Sequence, residues 1–565
     1  MIIMDQMNGV HVMLEMLAGF GVRYLFGNPG TTELPLSDAM ADQQRIKYIL
    51  ALQEVPAVAI ADGYAQASRM PGVVNLHACC GLGNGMGMIY NAFREGTPLV
   101  ITAGQQDQRM LFEEPILWGR MVDAVRPWTK WAEEIRRVQD IPSAIRRALQ
   151  TAMAPPTGPV FLALPLDVQM AEAESGLDLT PPRLPDFLVR APIGALRQAA
   201  GILANAKSPG ILAGSRICEA DAVAELTAVA ERLGAPVMHE ATTSHGRCGF
   251  PSDHPLASNQ LPFWSPEVRE YLSEFDVLLV AGMKLMQQYI YHEPRPIPEH
   301  IRLVHIDDDP WELNKNYPLE SGVIGHPKTA LSELAALLDE TMTPEQSRAA
   351  RERLIAHGKK RRHECEALRR EADSQKDCRP ISPLYFMETI ARILPPDAAV
   401  IEEAPTTTMG GYFERTGALK NTSGYFAQRG WALGWGLNCA IGVKLAWPDR
   451  PVLALIGDGS AMYGIQGLWT AAHYRIPVTF VICNNNEYKI LKDCAKVLKL
   501  PAACQERFEG LDVVDPAIDY VALAQSLGVS AQRISDPDEL SNTVCESFKS
   551  DTPRLIEVPV RHPEI

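Results

Sequence analysis

The 565-residue chain has no C-x-x-C pair, no run of uncharged apolar residues of membrane-helix length, and no excess of basic residues. Each absence removes a class of function. Eleven cysteines, scattered apart from the neighbours Cys79 and Cys80, fit neither a zinc site nor a disulfide framework and point to the reduced thiols of a cytoplasmic protein. A membrane helix needs about 18 apolar residues or more, which excludes a membrane partner. The N-terminal stretch carries Asp5, His11 and Glu15 at intervals and no basic segment, so it does not read as a secretory signal. A formal charge of -15 would repel the phosphate backbone and excludes non-specific nucleic-acid binding. The middle of the chain lacks the glycine fingerprint of a dinucleotide fold. Small molecules and further copies of the chain remain as partners.

What is present is ordinary globular composition, 46% apolar and 21% charged, in a chain well beyond the ~250 to 300 residues that one core supports. Short apolar runs of strand length alternate with longer amphipathic segments, the pattern of βαβ units. They fall into three blocks. The first has candidate strands at 22–26, 46–52, 72–76, 99–103 and 160–164; the second at 210–214, 277–282 and 302–307; the third at "AAVIEE", "PVLALIGDG", "VTFVICNNN" and "RLIEVPV". The predicted fold is therefore α/β, three doubly wound parallel-sheet domains. Their expected extents are 1–178, 190–340 and 380–565. Residues 341–379, rich in Arg, Lys and Glu, are expected to form a solvated connecting helix.

Ligands of open parallel sheets sit beyond the carboxyl ends of the strands. The polar residues there are Asn28, Glu54, His77 and Gln105-Gln106 in the first block, and Glu402-Glu403, Asp458 and Asn484-Asn485-Asn486 in the third. Gly457-Asp458-Gly459 ends an apolar strand and opens a helix. Its glycines admit a phosphate close to backbone N–H groups, and the aspartate can hold a divalent cation that in turn holds the phosphate. Mg²⁺ takes about six oxygens, one or two from carboxylates and others from neutral donors and diphosphate. One helix and one strand further on, Asn485 can supply an amide oxygen. This pairing is the signature of thiamine-diphosphate enzymes, which the chain thereby resembles.

Glu54 follows a strand and precedes Pro56, with apolar residues on both sides. Such a carboxyl group can share a proton with a ring nitrogen, which is what thiamine needs to generate its nucleophilic ylide. His77, at a strand tip before a glycine-rich turn, is a proton donor or acceptor suited to a reacting carbonyl. With "FGNPGTTELP", "YILALQEVPAVAIADGYAQASR", "NLHACCGLGNGMG" and "LGWGLNCAIGVKLAWPDRPVLALIGDGSAMYGIQGLWTAAHYRIPVTFVICNN", the chain resembles the thiamine-diphosphate-dependent 2-oxo acid decarboxylases over nearly its whole length, most closely their benzoylformate decarboxylase branch.

The resemblance implies pyrimidine-binding, central and diphosphate-binding domains in a homo-oligomer, a dimer of dimers, with thiamine diphosphate and Mg²⁺ held between two chains. It assigns cofactor activation to Glu54, proton transfer to His77, and a place facing the substrate to Thr31. Asn28 and Gly30 would line the pyrimidine pocket, and Leu433 would bend the cofactor. Gly457, Asp458, Gly459, Ser460 and Asn485 would bind its diphosphate end, with Asp458, Asn485 and the main-chain carbonyl of Glu487 on the metal. Where the family has a second histidine, this chain has Tyr289, with His292 three residues on. Trp431, Ile490 and Cys494 also depart from the pattern, at positions expected to shape the substrate cavity. The implied activity is non-oxidative decarboxylation of a benzoylformate-like or branched 2-oxo acid to an aldehyde and CO₂. The alternative is an acetohydroxyacid synthase-like carboligase that adds a second carbonyl compound.

Overall fold

The computed structural model describes residues 7–239, 246–408 and 411–561. The first residues of the N-terminal stretch lie outside them, and the helix that follows is Gly9–Phe20, capped by the Asn8 side chain. The first sheet comprises β1 (Tyr24–Gly27), β2 (Lys47–Leu50), β3 (Gly72–Leu76), β4 (Leu99–Gln105), β5 (Trp131–Glu134) and β6 (Val160–Pro165), in the order β2-β1-β3-β4-β6-β5. The second comprises β7 (Pro209–Ala213), β8 (Val237–His239), β9 (Val277–Ala281), β10 (Arg302–Asp307) and β11 (Ser321–Ile324), in the order β11-β10-β9-β7-β8. The third comprises β12 (Ala399–Glu403), β13 (Tyr425–Ala427), β14 (Val452–Gly457), β15 (Thr479–Asn484), β16 (Ser530–Arg533) and β17 (Arg554–Pro559), in the order β13-β12-β14-β15-β17-β16.

The paired strands run parallel in all three sheets. Central strands such as β3, β4, β6 and β9 are buried along their whole length, which is why they read in the sequence as unbroken apolar runs. Five strands lie outside the expected runs: β5, β8, β11, β13 and β16. All five lie at sheet edges; β5, β11 and β16 are partly exposed, whereas β8 and β13 are buried but only three residues long.

The charged connecting segment forms the helix Pro344–Ser374, opened by a capping box between Thr343 and Gln346. It is not solvated all round. Ala350, Gly358, Arg361, Leu368 and Ala372 are buried, and the Arg361 guanidinium donates to the carbonyls of Ser252 and Glu414. A single stripe of small and apolar residues in a charged helix carries little periodic signal, so the buried face was hidden.

The first and third sheets share one hydrophobic core. At its centre the helices Glu54–Ser68 and Trp435–Ala446 cross on glycines. A Cβ at Gly63 would lie 2.2 Å from the Cys439 carbonyl oxygen, and one at Gly442 2.0 Å from that of Ile60. The Trp435 indole N–H donates to Asp62 across this contact at 2.7 Å. Arg429, buried, pairs with Glu95 of the first block at 3.0 Å and Glu219 of the second at 2.7 Å, tying all three blocks together.

Candidate active site

The first cluster is built on the tips of β1, β2 and β3. Glu54, the first residue of its helix and 4% exposed, accepts hydrogen bonds from Asn28 Nδ2 and Asn84 Nδ2, each at 3.1 Å. Asn28 follows β1, and Asn84 stands on the helix Ala78–Glu95 after β3, so three elements converge on one carboxylate. Gly81 lies so close that a Cβ there would be 2.9 Å from Glu54 Oε1.

His77 caps the turn into the helix Ala78–Glu95. Its Nδ1 is 2.7 Å from Glu33 Oε2. Glu33 is 1% exposed, and its other oxygen accepts from Thr32 Oγ1 at 2.8 Å and the Gly104 N–H at 2.9 Å. With both carboxylate oxygens occupied in this way, Nδ1 of His77 is the donor and Nε2 is left as the acceptor. The imidazole lies directly on the Gly30 backbone, where a Cβ would fall 1.9 Å from Nδ1. Thr31 is exposed at the start of the short turn Thr31–Glu33. Glu33 is the residue of this cluster that sequence reasoning missed. The Thr-Thr-Glu triplet reads as the opening of a helix, and nothing in the spacing shows that the carboxylate turns inward to a histidine far along the chain.

The second cluster lies at the tips of β14 and β15. Gly457 and Cys483 are register partners, so Asp458 and the asparagines that follow β15 emerge side by side. Asn484 turns back into the sheet, donating to Glu557 at 2.8 Å and accepting from the Asn486 N–H at 3.0 Å. Asn485 accepts from the Glu487 N–H at 3.1 Å, and the intervening Asn486 has the left-handed φ of 55° that reverses the chain. The Glu487 carboxylate is taken by Lys492 Nζ at 2.5 Å.

Asp458 is 5% exposed, and burial, with Glu487 nearby, pushes its carboxyl up to about 6 against the backbone N–H groups of Gly459 and Asn486 that favour its charge. Among the described residues no three His, Cys, Asp or Glu form a metal-holding group. One buried carboxylate lacking a nearby cation, beside an amide and a glycine turn, fits a divalent cation whose remaining ligands come from a diphosphate. The residues present therefore fit thiamine diphosphate with Mg²⁺.

A cavity of about 240 Å³ opens here, lined by Leu433, Gly457, Asp458, Gly459, Ser460, Asn485 and Glu487, and walled by Phe263, Tyr289, Trp431, Ile490 and Leu491. Tyr289 packs against Phe263 with ring centroids 5.1 Å apart, and burial beside Cys494 raises its hydroxyl above the ordinary value. His292 is exposed and does not line the cavity. Trp431 and Leu433 stand on a loop whose following helix is held by Glu403. That buried carboxylate accepts from the N–H groups of Trp435 at 3.2 Å and Gly436 at 3.0 Å and from Gln428 at 2.6 Å. Glu402 is likewise structural, accepting from the Tyr425 hydroxyl at 2.6 Å.

The structure thus divides the expected site residues in two. None of Asn28, Gly30, Thr31, Glu54 and His77 lines the cavity around Asp458.

Three parallel-sheet α/β blocks, with a GDG turn beside paired asparagines and a buried glutamate on the first sheet, define a thiamine-diphosphate enzyme. Residues 7–115, 196–334 and 408–558 match the N-terminal TPP-binding, central and C-terminal TPP-binding domains of the thiamine pyrophosphate enzymes. The chain belongs to the thiamine-diphosphate-dependent 2-oxo acid decarboxylase family. It is 35% identical to benzoylformate decarboxylase of Pseudomonas aeruginosa over 97% of this chain and 98% of the relative. It is 26% identical to an acetolactate synthase large subunit of Haemophilus influenzae, over 96% and 93%. The solved structure of a thiamine diphosphate-dependent 4-hydroxybenzoylformate decarboxylase of Rhodococcus jostii superimposes with a TM-score of 0.86 at 29% identity, covering 99% of this chain and all of the other. Among the described residues no helix is long and apolar enough to cross a membrane.

Proposed function

We propose that the protein, loaded with thiamine diphosphate and Mg²⁺, decarboxylates a benzoylformate-like or branched 2-oxo acid to the aldehyde and CO₂. The observation that carries this is the register of β14 on β15, which sets Asp458 beside Asn485 at the mouth of an otherwise largely apolar cavity. When bound, thiamine diphosphate supplies a nucleophilic carbon for the 2-oxo group and a sink for the electron pair that CO₂ leaves behind.

The chain's own residues do the rest. Asp458, Asn485 and the Glu487 carbonyl would hold the metal, Gly457, Gly459 and Ser460 would receive the diphosphate, and Leu433 would lie against the cofactor. Glu54, buried and oriented by Asn28 and Asn84, is the carboxyl group that would hold a proton for the pyrimidine ring. His77, its tautomer fixed by Glu33, passes protons at the reacting carbon through Nε2, with Thr31 facing the substrate. Of the two candidates for a second proton-handling group we assign Tyr289, which stands on the cavity wall, and not His292, which does not.

The separation of the Glu54 cluster from the Asp458 cavity supports a site completed by a second copy, hence a homo-oligomer, with a dimer of dimers as the assembly. The scattered free thiols support a cytoplasmic setting. The test is head-space CO₂ and product analysis with a panel of 2-oxo acids, with and without an acceptor aldehyde. Free aldehyde with CO₂ supports decarboxylation, a hydroxyketone supports the carboligase reading, and no reaction by the loaded protein overturns both.

A further inference from the structure

Trp431 has a backbone φ of 64°, in the left-handed region that glycine enters freely and a bulky side chain does not. The conformation is imposed from both sides. Before it, the Arg429 N–H donates to the buried Glu95 carboxylate. After it, the buried Asn91 side chain both donates to the Ala432 carbonyl at 2.8 Å and accepts from the Ala432 N–H at 3.0 Å. Backbone geometry alone calls for glycine here, as at Gly434 three residues on, whose φ is 91°. A tryptophan in its place strains the chain, and strain held by the surrounding structure points to a use for the side chain.

Trp431 stands between two spaces. It lines the Asp458 cavity of about 240 Å³, and it also lines a far smaller pocket of about 10 Å³ in front of Glu403 and Gln428. The residues common to both are Ala404, Pro405 and Trp431. Of this partition Trp431 is the one large member, so shortening it joins the two.

Volume is scarce in the main cavity. Ligand sites usually offer ~300 to 1,000 Å³, and this one, at about 240 Å³, has to take the diphosphate end of a cofactor as well as a substrate. Part of its wall is already made of rings, those of Phe263, Tyr289 and Trp431, with the branched Ile490 beside them. A second copy that completes the site adds wall and no volume. The space left over suits a substituent of a few carbons and not a further ring. Resting on the decarboxylase reading above, we propose that Trp431 is a specificity-determining residue, closing the cavity so that the enzyme accepts 2-oxo acids with a short branched aliphatic side chain and excludes those with an aryl ring.

The experiment measures kcat/KM of the loaded enzyme for 3-methyl-2-oxobutanoic acid and for benzoylformic acid in the wild type, Trp431→Ala and Trp431→Gly. Chemical denaturation and calorimetric titration of thiamine diphosphate with Mg²⁺ run alongside. The wild type is expected to favour the aliphatic acid. Both variants are expected to raise the aryl-to-aliphatic ratio about tenfold or more, the scale on which an apolar pocket tells apart substrates differing by a carbon or so. Trp431→Gly, unstrained at this φ, is expected to resist denaturant better than Trp431→Ala. A ratio unmoved in both variants overturns the proposal, whatever happens to stability or cofactor affinity, since those are what a purely structural role would move. So does a ratio that moves in Trp431→Gly but not in a folded, cofactor-loaded Trp431→Ala, because relief of the backbone and not space would then be the cause. If the wild type turns over no 2-oxo acid, the decarboxylase reading fails and takes this one with it. Turnover with a preference for the aryl acid overturns this proposal alone.

Discussion

The Glu33 carboxylate lies 2.7 Å from Nδ1 of His77, although 44 residues separate them in the chain. One buried acid thus fixes which imidazole nitrogen carries the proton. Replacing Glu33 by alanine frees the ring to rotate and to change tautomer. The expected result is a kcat lowered by about 10- to 100-fold with KM little changed, a loss of the size reported for residues that orient a catalytic or ligating imidazole. Glu33→Gln keeps an acceptor for Nδ1–H but removes the charge, so partial rescue of kcat is expected. A purely structural role would lower stability in both variants and leave kcat of the folded protein unchanged.

Glu54 is held by two amide donors, from Asn28 and Asn84, and the role proposed for it is proton exchange, not folding. Glu54→Gln is close to isosteric and is expected to abolish turnover while cofactor and Mg²⁺ still bind, as followed by fluorescence titration. Asn84→Ala leaves the carboxylate in place with one donor fewer, and a milder fall in kcat is expected. Turnover by Glu54→Gln at the wild-type rate would remove the mechanism.

Asp458 makes a prediction with an unusual sign. Burial raises its carboxyl from 3.8 to about 6, so without metal the folded chain pays for its charge. The stability associated with the neutral form is fully present below pH 3.8 and is lost as pH rises through about 6. The cost at pH 7 is about 2 to 3 kcal/mol at most. Asp458→Asn is therefore expected to stabilise the metal-free protein at pH 7, with the gain shrinking toward pH 4, and to abolish the stabilisation that Mg²⁺ and thiamine diphosphate give together. In the wild type, Mg²⁺ affinity is expected to fall as pH drops below about 6, because protons compete for the same oxygen. Thermal melts across pH, with and without metal, check each sign.

The sequence showed most clearly the strands that are both long and buried. Central strands such as β3, β9 and β14 declare themselves as apolar runs, and β10 was placed at its observed limits. Of the edge strands, "WAEE" in β5 and "SAQR" in β16 have little apolar surface to advertise, while β8 and β13 are buried but only three residues long, too short for a run to stand out. The same rule separates the site residues. Asp458, Asn485 and Glu54 were legible because strand, turn and helix spacing constrain where they fall. Glu33 was not, because its partner is set by tertiary packing, while a site shared between two chains was expected from the resemblance alone and not from the spacing. Glu402 and Glu403 show the converse: polar residues at a strand tip that serve the fold, one holding Tyr425 and the other the turn into Trp435.

The crossing of the helices Glu54–Ser68 and Trp435–Ala446 joins stability to the site. Glu54 begins the first helix, and Leu433 lies just before the second. Both contacts at the crossing are glycine against backbone: Gly63 on the Cys439 carbonyl and Gly442 on that of Ile60. A methyl group at 2.2 Å or 2.0 Å from a carbonyl oxygen cannot be relieved by a rotamer change, so the helices must move apart. Gly63→Ala and Gly442→Ala are each expected to cost about 1 to 3 kcal/mol, the range of overpacked cores, despite the gain in helix propensity. Because the contacts are neighbours in one interface, the double variant is expected to cost less than the sum of the two, the second methyl entering a gap the first has opened. Separation of the helices also shifts Asp62 from the Trp435 indole and with it the loop bearing Trp431 and Leu433. Cofactor affinity is therefore expected to fall in parallel with stability, and chemical denaturation alongside cofactor titration on the three variants tests that linkage.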